Sequence, residues 1–164
     1  MSRSDKRPLK GDSLIQFPTE YVVIDIETTG VSPCWDEIIE IAALKISNNE
    51  ICDSFESLVK PPFKISTFIT ELTGISNDMV ENAPCINEVL PSFFDFIGNT
   101  IVLGHNVHFD INFIYDKSLK ANIKPFSNNF IDTLRLSRKL YPELSHHRLI
   151  DMVDFLKIDN STYH

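Results

Sequence analysis

The stretch YVVIDIETTG, residues 21–30, decides the fold, because it has the pattern of a buried strand that ends in two acids. The apolar run from Tyr21 to Ile26 is interrupted only by Asp25, and Glu27 follows two positions later. Alternate residues of a strand share one face, so we expect the two carboxylates side by side. Carboxylates that close repel each other unless they share a proton or bind a cation. The stretch therefore predicts a charged site at the end of a buried strand.

Composition limits the class of protein. The 164 residues are 43% hydrophobic and 23% charged, which suits one globular domain. No run approaches the ~18 apolar residues of a membrane span, and the N-terminus lacks a signal peptide, so we expect a cytoplasmic protein without a membrane partner. Three cysteines without a CxxC pair fit reduced thiols. The net charge of −8 disfavours nucleic-acid binding by bulk electrostatics, but it allows phosphate binding through metal ions.

Hydrophobic patterning divides the chain into a short arm and one domain. Residues 1–18 show no periodicity and carry four basic residues, so we expect a flexible basic arm before a domain over residues 19–164. Three β-rich segments come first, and helical and β segments then alternate, which predicts a mixed sheet covered by helices in the α/β class. The predicted strands cover 21–26, 38–46, 51–59, 100–106 and 128–132, and the predicted helices cover 76–83, 86–97, 109–123, 133–141 and 147–158.

A third acid lies in unusual surroundings. Asp110 comes early in a predicted helix among Phe109, Ile111 and Phe113. A carboxylate in apolar surroundings is costly unless it has a partner. One explanation is a cap for its own helix, and the other is a functional group. The final residue, His164, is the next candidate for chemistry.

Several ordered segments resemble the motifs of the DEDDh exonucleases. They are IDIETTG, LTGI, GHNVHFDINFI, IDTLRLSRKLYPEL and HRLIDMVDFLKI, and the resemblance covers residues 20–164. Within that DnaQ-like family, the chain most resembles the proofreading domain of Gram-positive-type replicative DNA polymerase III and the epsilon subunit. The resemblance implies a ribonuclease H-like fold, a five-stranded mixed sheet flanked by helices. It also implies a metal-dependent 3′→5′ exonuclease that releases nucleoside 5′-monophosphates from DNA ends.

The resemblance assigns four catalytic residues. Asp25 and Glu27 match the acids of the first motif, Asp110 matches the acid of the second, and His164 matches the histidine of the third. The family's fourth acid would come five residues after His164, where this sequence has no residue. We therefore expect a domain truncated at its C-terminal motif, with weakened activity.

A second pair offers an alternative third motif. His146 and Asp151 have the same five-residue interval. Their segment resembles the helix that precedes the true motif in the family, which favours His164. We expect His105 to be structural or to contact substrate, and Asp132 to cap the helix that follows it.

The implied chemistry explains the residue types. Two Mg²⁺ or Mn²⁺ ions about 3.5–4 Å apart suit phosphodiester hydrolysis, because one prepares the attacking water and the other stabilises the leaving oxygen. Carboxylate oxygens suit such cations, so Asp25, Glu27 and Asp110 are the expected metal ligands, with His164 as general base. We expect the terminal nucleotide to contact residues of the turn and of neighbouring segments, although turn formation or core packing also explains them. These residues are Thr28, Thr29, Gly30, Leu72, Ile75, Asn106 and Phe109.

Three functions remain open from the sequence. The first is proofreading hydrolysis of single-stranded or frayed 3′ ends of DNA, in partnership with a replicative DNA polymerase. The second is the same chemistry on RNA 3′ ends. The third is an inactive nuclease-like domain that docks on a polymerase.

Overall fold

Five strands form one mixed sheet in the computed structural model, which describes residues 7–158. The strands are β1 (Glu20–Thr28), β2 (Ile38–Ser47), β3 (Glu50–Leu58), β4 (Val102–Gly104) and β5 (Phe130–Asp132). Their order is β3-β2-β1-β4-β5, with antiparallel pairs in the first half of the sheet and parallel pairs in the second. The five-stranded mixed sheet predicted from the sequence is therefore confirmed, and β1 is its central strand.

The first three strands form a meander whose alternation sets the position of the acids. Val22, Ile24 and Ile26 of β1 are buried in the core. The residues between them consequently lie on the opposite face of the sheet. The β2–β3 turn places Asn48 and Asn49 at φ 51° and 67°. Those left-handed conformations match the twist of a tight hairpin, as expected for the SNNE segment.

Six helices complete the described chain. They are α1 (Thr67–Thr73), α2 (Asn77–Val80), α3 (Ile86–Ile97), α4 (His108–Lys120), α5 (Thr133–Leu140) and α6 (Leu149–Leu156). Helices α3 and α4 cover one face of the sheet and build the main core. Helix α3 continues through Pro91, with Leu90 and Phe93 fully buried beside it. None of the helices within residues 7–158 has the length and apolarity to cross a membrane.

The region after β3 differs from the prediction. Helix α1 was not predicted, and α2 ends at Val80 instead of reaching Pro84. Both helices are short and pack on a small second cluster that contains Ile65, Ile69 and Ile75. Only Ile69 of α1 is buried, so the segment has no helical hydrophobic period to detect.

The N-terminal segment also differs from the prediction, since from Arg7 onward it is packed against the domain. Arg7 forms a two-bond ion pair with Asp116 of α4, at 2.7 and 2.8 Å. The backbone N–H of Leu14 donates to Phe130 O at 2.8 Å, and the N–H of Phe130 donates to Asp12 O at 3.0 Å. The segment therefore extends the sheet beyond β5. Residues 1–6 of the predicted flexible arm lie outside the described residues.

Candidate active site

The two acids of β1 lie on the face of the sheet opposite the main core. Asp25 is exposed and Glu27 is half-buried. Directly opposite Glu27 on β2 lies Glu40, a carboxylate that sequence reasoning missed. Glu40 is the one charged residue in the apolar run IIEIAAL, and this interruption was the available signal.

Asp110 joins the two acids because of where β4 ends. The β1–β4 pairing reaches only Val23 and Leu103, so the backbone N–H of Ile26 has no partner on β4. The Asp110 carboxylate takes that place, and its Oδ1 accepts a hydrogen bond from Ile26 N at 3.1 Å. Asp110 lies in the first turn of α4 and is not its N-cap residue, which is Val107. The third acid is instead held against β1 itself.

Burial and mutual repulsion raise the pKa values of these acids. Burial, followed by the negative charge of Asp25, raises the pKa of Asp110 to about 7. Desolvation raises the pKa of Asp25. Partial burial and the charges of Asp25 and Glu40 raise the pKa of Glu27. Within residues 7–158, no ion pair with a basic side chain offsets the charge of the three acids. Among these residues the three carboxylates have no positively charged partner, so the site favours binding of a cation.

The donor chemistry of the site fits a divalent cation. Carboxylate oxygens are the donors that Mg²⁺ and Mn²⁺ prefer. In the described part of the chain, no three His, Cys, Asp or Glu side chains already form a metal-binding group. Mg²⁺ commonly binds one or two carboxylates and completes its shell with water and substrate phosphates, so a pre-formed cage is not required.

The turn after β1 is closed by its own hydrogen bonds. The Thr28 hydroxyl donates to Gly30 O at 2.6 Å, and Thr29 Oγ1 accepts from Glu37 N at 2.9 Å. The N–H of Thr29 donates to Glu37 O at 2.8 Å. A Cβ on Gly30 would lie 2.5 Å from the Asp36 carboxylate, so close packing explains the glycine. The Thr28 hydroxyl and the Thr29 N–H are thus occupied within the turn, so turn formation explains both, and their contact with substrate stays a prediction.

The other predicted substrate contacts separate into buried and accessible residues. Ile75 is 3% exposed and belongs to the second core cluster, so core packing explains this residue. Leu72 is 70% exposed and remains available. Asn106 is exposed in a left-handed conformation at φ 64°. Phe109 is half-buried against Phe113, with ring centroids 4.9 Å apart.

The histidine candidates have different surroundings. His164 lies outside the described residues, so its role as general base stays a prediction. Asp151 accepts hydrogen bonds from the backbone and guanidinium of Arg148, which hold its pKa at about 2. This carboxylate is thus engaged in capping α6, which disfavours His146 and Asp151 as the third motif. His105 Nε2 is bonded to the backbone of the loop before α6 at 2.8 Å, which favours the structural role.

Asp132 caps α5, as predicted from the sequence. Its Oδ1 accepts from Leu134 N at 2.9 Å and from Asn106 N at 3.0 Å. The second bond ties the end of β4 to the end of β5. It consequently fixes the backbone just before the helix that carries Asp110.

A five-stranded mixed sheet with acids at the end of its central strand defines a ribonuclease H-like exonuclease fold. The chain belongs to the RNase T exonuclease family, whose model matches residues 22–164. The solved structure of exonuclease X in complex with 5′ overhanging duplex DNA is similar, with a TM-score of 0.70 and 25% identity over 87% of this chain and 76% of that one. Exonuclease I of E. coli in complex with a dA16 oligonucleotide shares the fold, with a TM-score of 0.76 and 21% identity over 90% of this chain and 37% of that one.

Similar sequences come from a bacterial replication protein. The chain is 45% identical over 154 residues to the PolC-type DNA polymerase III of Caldanaerobacter subterraneus, covering 94% of this chain and 11% of the relative. It is 42% identical over 147 residues to the PolC-type DNA polymerase III of Bacillus subtilis, covering 88% of this chain and 10% of the relative. The chain therefore spans about a tenth of the length of these relatives.

Proposed function

We propose that the protein is a metal-dependent 3′→5′ exonuclease that hydrolyses single-stranded or frayed DNA ends to nucleoside 5′-monophosphates. The observation that carries this proposal is the 3.1 Å hydrogen bond from Ile26 N to Asp110 Oδ1. It fixes a buried carboxylate against the strand that carries Asp25 and Glu27. The similarity to PolC-type polymerases supports DNA as the substrate and a replicative polymerase, in the cytoplasm, as the partner.

Each residue has a defined task in this proposal. Asp25, Glu27 and Asp110 hold Mg²⁺ or Mn²⁺, with Asp110 oriented by its bond to Ile26. The bound ions supply charge stabilisation for the phosphate and activation of the attacking water. Because the pKa of Asp110 is raised to about 7, a cation held by this carboxyl group near neutral pH would compete with its proton. His164 is proposed to accept a proton from the attacking water.

The test uses linear and circular single-stranded DNA, each with Mn²⁺, Mg²⁺ or EDTA. We expect a 5′-labelled linear strand to shorten stepwise from its 3′ end, a circular strand to persist, and EDTA to stop the reaction. Asp110→Asn should lower the rate by about 100-fold or more, since it removes a charged ligand. Asp95→Asn, on the exposed face of α3, is the matched control and should retain full activity.

Other outcomes distinguish the alternatives. Cleavage of circles would show an endonuclease and refute the proposed polarity. Faster shortening of a matched RNA strand would assign the activity to RNA ends. Binding of single-stranded DNA without hydrolysis under every metal condition would favour the inactive docking domain.

A further inference from the structure

We infer that a cavity formed by the segments that follow β4 and β5 is a subsite for the backbone phosphates of a nucleic acid strand, on the 5′ side of the nucleotide being released. The cavity has a volume of about 460 Å³ and lies between the loop that joins β4 to α4, helix α5 and the loop before α6. This inference rests on the proposed function, because it assigns a path to the substrate of the same active site. The side chains that carry it are Asn106, Arg138 and His146.

These three side chains have in common that none of them forms an ion pair or a hydrogen bond with a described residue. Arg138 and His146 are exposed, and neither forms an ion pair or hydrogen bond with any residue from 7 to 158. Asn106 uses its backbone N–H on Asp132, while its side-chain amide is unpaired within the same range. Arg148 also lines the cavity, but Asp151 already neutralises it through two guanidinium bonds. The remaining polar groups are therefore available to a ligand.

Charge favours an anion in this cavity. The chain has a net charge of −8, and the three acids of the candidate active site repel a phosphodiester strand. Among the described residues, no Asp or Glu lines the cavity, whereas Arg138 supplies a cation that nothing there neutralises. A strand can thus approach the carboxylates along this side. Contacts from arginine, histidine and asparagine to phosphate position a strand without reading its bases, which suits removal of any 3′ nucleotide.

The position of the cavity connects it to the acids. Asn106 lies four residues before Asp110, at the same end of α4. Gly104 and Asp132 are paired across β4 and β5, and α5 begins directly after Asp132. Arg138 follows on the second turn of α5. A strand whose last phosphate lies at the carboxylates therefore places preceding phosphates along α5.

The experiment compares Arg138→Ala with Lys139→Ala. Lys139 is the next residue of α5, equally basic and exposed, but it does not line the cavity. One substrate is a single-stranded DNA oligonucleotide, and the other is the p-nitrophenyl ester of thymidine 5′-monophosphate, which has a single phosphate. Arg138→Ala should raise KM for the oligonucleotide about tenfold, the scale of one charged hydrogen bond, with kcat preserved. The ester should be hydrolysed at the wild-type kcat/KM, and Lys139→Ala should match the wild type on both substrates.

Salt dependence gives a second readout that a structural role would not change. In Arg138→Ala, the loss of one phosphate contact should reduce the salt slope by about 0.7. This slope relates the logarithm of the binding constant for the oligonucleotide to the logarithm of the salt concentration. Three results would refute the subsite. They are an equal loss of kcat/KM on both substrates in Arg138→Ala, an unchanged salt slope in Arg138→Ala, or a loss in Lys139→Ala equal to that in Arg138→Ala.

Binding separates this inference from the proposed function. If the wild type hydrolyses neither substrate with Mn²⁺, the proposed function fails, and fluorescence anisotropy of the labelled oligonucleotide then tests the cavity. Weaker binding by Arg138→Ala alone would support the subsite, and equal binding by all three proteins would refute it. Displacement of the oligonucleotide by poly-aspartate at equal charge concentration would assign the cavity to acidic peptides instead.

Discussion

Asp110 controls how the stability of the metal-free protein depends on pH. Its pKa is raised from 3.8 to about 7 in the folded state, so between these values the folded protein binds more protons than the unfolded chain. Stability consequently falls as pH rises through this window. The difference between the two pKa values corresponds to about 4 kcal/mol. In EDTA, we expect Asp110→Asn to be more stable than the wild type by about this amount near pH 8, measured by urea unfolding.

The pH profile provides the control. The Asn side chain keeps an oxygen for the Ile26 N–H but has no charge to bury. The advantage of Asp110→Asn should therefore shrink as the pH falls and disappear below about pH 3, where the wild-type carboxyl is protonated in both the folded and the unfolded state. Asp95→Asn, at an exposed site, should follow the wild type at every pH. Equal slopes for Asp110→Asn and the wild type would contradict the assigned pKa.

Single residues also show what the sequence can and cannot predict. The alternation in IDIET predicts that Asp25 and Glu27 share a face, because period two is a local property of a strand. The partner of Asp110 was not predictable in this way. Its bond to Ile26 joins residues 84 positions apart and exists only because β4 ends early. Likewise, LTGI gives no local sign that Leu72 is exposed and Ile75 is buried.

At the scale of elements, a buried ion pair joins α4 to the start of β2. Lys117 Nζ lies 2.6 Å from Glu37 Oε2, and the two side chains are 1% and 18% exposed. Burial lowers the pKa of Lys117, and the Glu37 carboxylate opposes that shift. Removing one partner of such a pair leaves an uncompensated charge. We therefore expect Glu37→Gln to lower the free energy of unfolding by about 3 kcal/mol in urea denaturation.

A double variant tests the cause of that loss. Lys117→Met combined with Glu37→Gln removes both charges and fills a similar volume, so it should recover most of the stability. Lys124→Met changes an exposed lysine and should stay within about 0.5 kcal/mol of the wild type. A double variant that is less stable than Glu37→Gln alone would show that packing, not the buried charge, causes the loss.

Elements differ in how much of them the sequence predicts. Strands β1 and β2 and helix α3 were predicted nearly to their ends, because each has a long apolar period. Strand β3 was placed equally well by the SNNE turn before it, although none of its residues is buried. Helix α1 was missed because Phe68 and Leu72 are each 70% exposed and only Ile69 is buried. Its N-terminus is fixed by Ser66, whose hydroxyl accepts from Ile69 N. A cap without a buried stripe is too weak a signal to identify a seven-residue helix.

For the molecule as a whole, the topology brings together residues from separate segments of the chain. The class of fold followed from three β-rich segments before alternating helices and strands, and the sheet order confirms it. The cavity along α5 could not be predicted, since its lining comes from the loop between β4 and α4, from α5 and from the loop before α6. The packing of residues 7–14 against α4 and β5 was also unpredictable, because a segment without periodicity carries no sign of its partner.

Divalent cations should stabilise the whole molecule through this assembled site. Since the carboxylates repel one another when metal-free, a cation that binds only the folded state adds about 2.7 kcal/mol at a concentration 100 times its Kd. For a chain of this size, that corresponds to a rise in Tm of about 5–10 °C near pH 8, measured by thermal unfolding with Mn²⁺ against EDTA. Asp25→Ala should lose most of the rise, because it removes a charged ligand and leaves the hydrophobic core intact. Glu56→Ala removes an exposed acid from the neighbouring strand β3 and should keep the full rise. If the Mn²⁺-dependent rise in Tm survives in Asp25→Ala but is lost in Glu56→Ala, the cation binds on β3, and the three-acid site of β1 and α4 is not the metal centre.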